Sequence, residues 1–393
     1  MTPAARIQAA IELLDLVIAS AREAGPAADT LIARYFKERR YAGSKDRRAV
    51  RELVYRAIRR SGERPASGRA AMLGLAGEEP ELLALFGRGG HGPAPVDEGE
   101  ERSAPAVAPV WLRDRFDPLL GEDELPALLE RAPLDLRVNR LKGGREEALA
   151  AFPGAVPTPL SPLGLRLAEN VPVEESEAWR SGHVEVQDEG SQLIALACGA
   201  APGAVVVDLC AGAGGKTLAL AAEMANEGRL IACDADRGRL SRLPPRLLRA
   251  GISIAESLLL NPNRELEALG GLRGLADVVL VDAPCSGTGT WRRNPETRWR
   301  LDPERLAKLL NVQAHLLDVA SELIRPGGHL VYAVCSLLRE EGREQAEALG
   351  RRRSSLVPVP LPIEGGRDAG AGRLLSPAHD GTDGFFVARW QAS

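Results

Sequence analysis

Residues 204–217 read AVVVDLCAGAGGKT, and the next eight, LALAAEMA, continue as a helix former. An apolar run ends in an acid, Asp208, turns through Gly212, Gly214 and Gly215, and opens a helix at Lys216-Thr217. Four more apolar runs follow, RLIACDAD (229–236), ISIAESLLL (252–260), ADVVLVDAP (276–284) and HLVYAVCS (329–336), with helix-forming stretches between them. Near-continuous apolar strands alternating with helices belong to a buried parallel sheet covered on both faces. The pattern predicts an α/β, doubly wound, Rossmann-like domain over residues 183–393. In such sheets ligands lie beyond the carboxyl ends of the strands, so the residues just after each strand are the candidate site.

Outward from that domain the chain changes character. LDLRVNRL (134–141) and GLRLAEN (164–170) read as short strands, and PVWLRDRF (109–116) and DELPALLERA (123–132) as helices, which together predict a small mixed α/β subdomain over 109–182. Residues 87–109, rich in Gly, Pro and charge without periodicity, read as a flexible linker or an exposed loop. Before them, residues 4–24 and AVRELVYRAIRR (49–60) carry apolar residues at helical spacing, so 1–108 is expected to be all-helical.

With 393 residues the chain is long enough for two or three domains, and 45% hydrophobic with 26% charged residues is ordinary for a soluble globular protein. No apolar run approaches the roughly 20 residues of a membrane helix. The first apolar stretch, IELLDLVIAS (11–20), contains acids and no cleavage site follows it, so a cytoplasmic protein is expected, without a membrane partner. The net charge of -4 gives no general attraction for nucleic acid. One local patch does: from Arg34 to Arg60 eleven Lys/Arg face three Asp/Glu. The five cysteines (Cys198, Cys210, Cys233, Cys285, Cys335) form no CxxC pair, so neither a zinc site nor a disulfide framework is expected and no metal is called for.

The glycine turn lets backbone approach a ligand closely and presents the free N–H groups of a helix start. It is not a phosphate-binding loop of the GxxxxGK[ST] type, because Cys210 stands where the first glycine belongs. Asp234, ending the second strand, is the usual partner of ribose hydroxyls. The two motifs point to an adenosine-containing ligand and leave the reaction open, dinucleotide chemistry included. Asp282-Ala-Pro-Cys285-Ser-Gly-Thr-Gly289 after the fourth strand and Tyr332-Ala-Val-Cys335-Ser336 after the fifth bring two cysteines to strand ends, where a thiolate can act as nucleophile. Cys198, Cys210 and Cys233 read as packing residues.

These residues resemble the RNA (cytosine-5) methyltransferases of the Sun/NOL/NOP family, most closely its bacterial RsmB-like branch. The likeness runs through VEVQDEGSQL (184–193), DLCAGAGGKT, DAPCSGTG, RRNPETRW (292–299), RPGGHLVYAVCS and HDGTDGFFVARW (379–390). LRVNRLK (136–142) resembles the start of the family's small subdomain, and the N-terminal helices with RRAVRELVY look like a shortened NusB-like RNA-binding module. The resemblance implies a class I methyltransferase domain that uses S-adenosylmethionine. It implies attack by Cys335 on carbon 6 of cytosine, a hydrogen bond between Asp282 and the base near N3, and elimination assisted by Cys285. The implied cofactor residues are Asp208, Cys210, Ala211, Gly212, Gly214, Gly215, Lys216, Asp234, Arg239, Asn261 and Asp282. Arg292, Arg293, Arg298 and Arg300 are placed for RNA phosphates, as is the Arg34–Arg60 patch. The implied substrate is ribosomal RNA, with tRNA as the alternative, and the protein is expected to be a monomer. Three positions depart from the family pattern: Gly212-Ala213 stands for Ala-Pro, Val334 for Thr, and Asn261 for an acid. Two rivals differ in class. DNA-type cytosine methylation would make Cys285 the nucleophile and leaves Cys335 without a role; a non-catalytic RNA-binding assembly factor would have lost a catalytic cysteine, and both are present.

Overall fold

Thr2 starts the first helix by accepting from the Ala5 amide at 3.2 Å, with Pro3 in the first turn, where a missing N–H costs nothing. The computed structural model describes residues 1–23, 25–167 and 171–393. They form two compact units: Met1–Phe116 with Glu122–Arg131 and Ser286–Pro303, and Asp117–Gly121 with Ala132–Cys285 and Glu304–Ser393. No helix among the described residues is long and apolar enough to cross a membrane.

The first unit packs α1 (Pro3–Arg22), α2 (Ala28–Glu38), α3 (Ser44–Arg60) and α4 (Gly68–Ala76) around one core that includes Ile7, Leu14, Val54, Ile58 and Leu73. Trp299, far along the chain, belongs to the same core. Its indole N–H donates to the Ser61 carbonyl at 2.8 Å. The Arg298 guanidinium, fully buried, donates to the carbonyls of Ile58, Arg59 and Val107, two of them at the end of α3. Glu296 accepts from the Ala28 amide at 3.1 Å where α2 begins, and Arg300 donates to the carbonyls of Gly25 and Pro26. An anion at a helix N-terminus and a cation at a C-terminus satisfy orphan backbone groups and oppose the helix dipole. The RRNPETRW segment thus fastens the helical unit from within. Residues 87–109 hold no helix and are tied back at several points: the Ser103 amide donates to the Ala70 carbonyl, the Ala106 amide to the Arg60 carbonyl, and Glu100 pairs with Arg69.

In the second unit a small antiparallel sheet runs in the order β2-β3-β1-β4, from β1 (Leu134–Val138), β2 (Val156–Pro157), β3 (Gly164–Leu167) and β4 (Val184–Val186). The end of the expected strand GLRLAEN, Ala168–Asn170, lies outside the described residues. PVWLRDRF and DELPALLERA are not α-helical: Val110–Arg115 and Glu122–Leu129 are 3₁₀ turns, and Pro126 inside the second removes an N–H that an α ladder needs.

The large sheet carries the expected parallel strands: β5 (Val205–Asp208), β6 (Arg229–Asp234), β7 (Ala255–Leu259), β8 (Ala276–Asp282) and β9 (Ile324–Val334). Their order is β9-β8-β5-β6-β7. The chain winds outward from β5 to β7, then crosses back to β8, so strand order reverses between β5 and β8. That is the crevice where such sheets bind ligands. ISIAESLLL pairs only over Ala255–Leu259, on the sheet edge and half-buried. Beyond β9 the sheet continues antiparallel through β13 (Phe385–Ala392) to β12 (Gly372–Leu375) and β11 (Arg367–Ala369), with β10 (Leu356–Pro358) also on β13. HDGTDGFFVARW therefore supplies a buried strand.

If the RRNPETRW segment is a fastener, Trp299→Ala destabilises the helical unit by about 3–5 kcal/mol, the usual cost of removing a buried indole. Chemical denaturation followed by helical signal checks it; an unchanged midpoint would contradict the assignment.

Candidate active site

The glycine turn follows β5 and is held by its neighbours on both sides. The Ala211 amide donates to the Cys233 carbonyl at 2.7 Å, and the Gly212 amide donates to Asp234 Oδ2 at 2.7 Å. Gly212 and Gly214 sit at φ +57° and +88°, in the left-handed region that favours glycine, and Gly214 caps the helix Gly215–Glu223. Arg239 lies over Gly212, where a Cβ would meet its guanidinium, and it stands 3.9 Å from Asp234. Two arginines absent from the sequence reading hold the turn from behind: Arg137 on β1 donates to the Gly215 carbonyl at 2.9 Å, and Arg246 to the Ala213 carbonyl at 2.6 Å. With these carbonyls engaged, Ala213 needs no proline ring to fix the turn.

Asp208 is fully buried, with Oδ2 accepting from the Thr217 hydroxyl at 2.7 Å and Oδ1 without a partner. Burial, eased by that hydroxyl and worsened by the nearby Asp282, pushes its carboxyl up to about 7. Lys216, also buried, donates to Asp282 Oδ2 at 2.6 Å. Burial disfavours the ammonium, but the Asp282 carboxylate holds its pKa above the ordinary value, so the lysine stays charged. Burial pushes the thiols of Cys198, Cys210 and Cys233 well up, which removes them as nucleophiles near neutral pH.

Parallel pairing sets Asp282 opposite Ala333, and the Ala283 amide donates to the Ala333 carbonyl at 2.9 Å. Just past that point the two turns bring Cys285 Sγ within 3.3 Å of Cys335 Sγ, both half-buried. The crevice thus gathers two thiols, a Lys–Asp pair and a glycine turn at strand carboxyl ends. Asn261 is exposed after β7.

The arginines expected at RNA phosphates separate. Arg298 is engaged by three carbonyls of the helical unit and Arg300 by two, and Arg292 is buried, whereas Arg293 is half-exposed. In the basic patch, Arg39, Arg51, Arg56 and Arg60 pair with Glu12, Asp29, Glu79 and Glu78, while Arg34, Lys37, Arg40, Lys45 and Arg48 are exposed.

A family model described as 16S rRNA methyltransferase RsmB/F matches residues 195–391. The ribosomal RNA small subunit methyltransferase B of Xylella fastidiosa (strain Temecula1) is 38% identical over 294 residues, 73% of this chain and 67% of the relative. Its namesake in Xanthomonas campestris pv. campestris is 34% identical over 308 residues, 75% of this chain and 70% of the relative. Among solved structures, the crystal structure of PH0851 is similar with a TM-score of 0.76 at 26% identity, covering 100% of this chain and 99% of that one.

Asp208 makes a prediction about pH. Its folded carboxyl titrates above the unfolded value of about 4, so the proton it binds stabilises the fold fully below about pH 4. That contribution is lost as pH rises through about 7. Melting curves of the wild type should therefore fall, between those limits, relative to Asp208→Asn; curves that stay parallel would mean an ordinary carboxyl.

Proposed function

The chain belongs to the RsmB/F family of 16S rRNA methyltransferases, and on that premise we propose that it methylates carbon 5 of a cytosine in small-subunit ribosomal RNA through a covalent adduct with Cys335. The observation that carries the reading is the 3.3 Å separation of Cys285 and Cys335 at neighbouring strand ends. Carbons 5 and 6 of cytosine are bonded neighbours; one must receive a nucleophile and the other must lose a proton. Two thiols this close serve both atoms of one base.

In this mechanism the Cys335 thiolate adds to carbon 6, forming a C–S bond and making carbon 5 electron-rich. Asp282 hydrogen-bonds the base edge, and the Lys216 ammonium beside it offsets the charge that develops there. S-adenosylmethionine, when bound, supplies the electrophilic methyl carbon. Cys285, as thiolate, takes the carbon 5 proton; the C–S bond breaks, the double bond returns and the Cys335 thiolate is released. The base must be unpaired or flipped out to present its face.

The residues present fit that cofactor. Asp234 ends β6 where a carboxylate meets ribose hydroxyls, Arg239 stands 3.9 Å from it, Asn261 follows the neighbouring strand β7, and Asp208 keeps an unpartnered oxygen beside the glycine turn. Cys210, Ala211, Gly212, Gly214, Gly215 and Lys216 line the same turn. We assign the helical residues 1–108 to a NusB-like RNA-binding module, 109–182 to a small α/β subdomain and 183–393 to a class I catalytic domain. Arg293 and the exposed cations Arg34, Lys37, Arg40, Lys45 and Arg48 are assigned to RNA phosphates. Arg298 is left out, because its guanidinium is engaged by backbone carbonyls.

Two experiments test the proposal. Asp234→Ala should weaken S-adenosylmethionine binding by roughly 1 to 3 kcal/mol in calorimetry, the cost of leaving polar partners unpaired; unchanged affinity would take Asp234 out of the site. Cys335→Ala should abolish methylation and form no adduct with RNA, whereas Cys285→Ala should accumulate protein bound covalently to methylated RNA, a denaturant-resistant band on a gel. An adduct formed by Cys335→Ala would instead make Cys285 the nucleophile.

A further inference from the structure

We propose that Gln313 and Glu341 are positioning residues that lock the two thiol-bearing turns to each other. The ladder between β8 and β9 ends with the bond from the Ala283 amide to the Ala333 carbonyl. Cys285 and Cys335 lie past that point, beyond the last paired residues of the two strands.

A side-chain network takes over there. Gln313, fully buried on the helix Pro303–Leu323, donates both amide hydrogens: to the Pro284 carbonyl at 3.0 Å and to Glu341 Oε1 at 2.9 Å. Glu341, also fully buried, accepts from the Ser336 hydroxyl on Oε2 at 2.5 Å, and its main-chain carbonyl accepts from the Tyr332 hydroxyl at 2.6 Å. The Ser336 oxygen in turn accepts from the Leu338 amide at 3.1 Å. Pro284 immediately precedes Cys285, and Ser336 immediately follows Cys335. The path from one cysteine to the other therefore runs through four hydrogen-bonding groups, every side chain of which is buried.

The orientation of Gln313 shows that the network is more than filling. Its Oε1 has no partner, a cost that an apolar side chain of the same size would avoid. The amide has no alternative: turned over, its oxygen would face a carbonyl and a carboxylate, two acceptors with no proton between them. What the arrangement gains is a fixed distance between two turns.

The inference rests on the roles proposed above for the two thiols, because a misplacement of about 1 Å at reacting groups costs roughly 100-fold in rate. Gln313→Met keeps the volume and removes both donors. It should lower kcat about 100-fold, leave calorimetric S-adenosylmethionine affinity and KM for RNA unchanged, and alter the ratio of iodoacetamide alkylation rates at Cys285 and Cys335 measured by mass spectrometry without RNA. Gln313→Glu sets two carboxylates against each other at neutral pH and regains a donor when one is protonated. Its pH–rate profile should be displaced to lower pH than that of the wild type, a readout that holds even if the Met variant fails to fold. An unchanged kcat and alkylation ratio in Gln313→Met, or a Gln313→Glu profile superimposable on the wild type, overturns the proposal. The alkylation ratio uses neither substrate nor turnover, so it separates a failure of the network from a wrong assignment of the nucleophile.

Discussion

The pairing of β8 with β9 is the constraint on which the site depends. Parallel register sets Asp282 beside Ala333 and so fixes where both chains leave the sheet. The groups proposed to carry the chemistry all stand within a few residues of that exit: the carboxylate at the end of one strand, the thiol three residues on, and the second thiol at the end of its neighbour. A slip of one residue would turn each side chain to the opposite face. Burial on both faces forbids the slip, because Val279, Leu280, Leu330 and Val331 are all fully enclosed.

Around that pairing, polar groups are arranged so that few are left to water. Lys216 is buried and remains charged because Asp282 is its partner, and Asp282 in turn is held at the crevice by the lysine. The carbonyls of the glycine turn are bound from behind by Arg137 and Arg246, and the Gly212 amide is bound to Asp234. A loop built on glycine has many conformations to lose. Here they are removed by charged donors reaching in from β1 and from the helix Leu243–Ala250, so the small subdomain helps shape a turn that belongs to the large sheet.

The parallel strands were legible because strands buried on both faces are apolar along their length, and the two cysteines because they stood at strand ends. β7 is shorter than its apolar run because an edge strand is covered on one side only, a fact of topology with no mark in the local sequence. The 3₁₀ turns at Val110–Arg115 and Glu122–Leu129 have helical composition but too few residues and, in one, a proline. Arg298 shows the sharper limit. A run of arginines just after the Cys285 turn reads as a phosphate contact, yet this guanidinium caps a helix whose end lies some 240 residues earlier. Arg137, Arg246, Gln313 and Glu341 were missed for the related reason that most of their partners are backbone carbonyls or single side chains on other elements, which leave no spacing to find.

The chain leaves the second unit after Cys285 and returns to it at Glu304, and the eighteen residues between are built into the first. The helical unit is therefore not one continuous stretch of chain. A descendant gene that lost its first hundred codons would inherit Trp299, Arg298 and Glu296 with nothing to bury or satisfy them, inside a segment that begins beside Cys285. Loss of the N-terminal helices must be matched by rewriting of this internal segment, so the two stretches are expected to be inherited, shortened and replaced together.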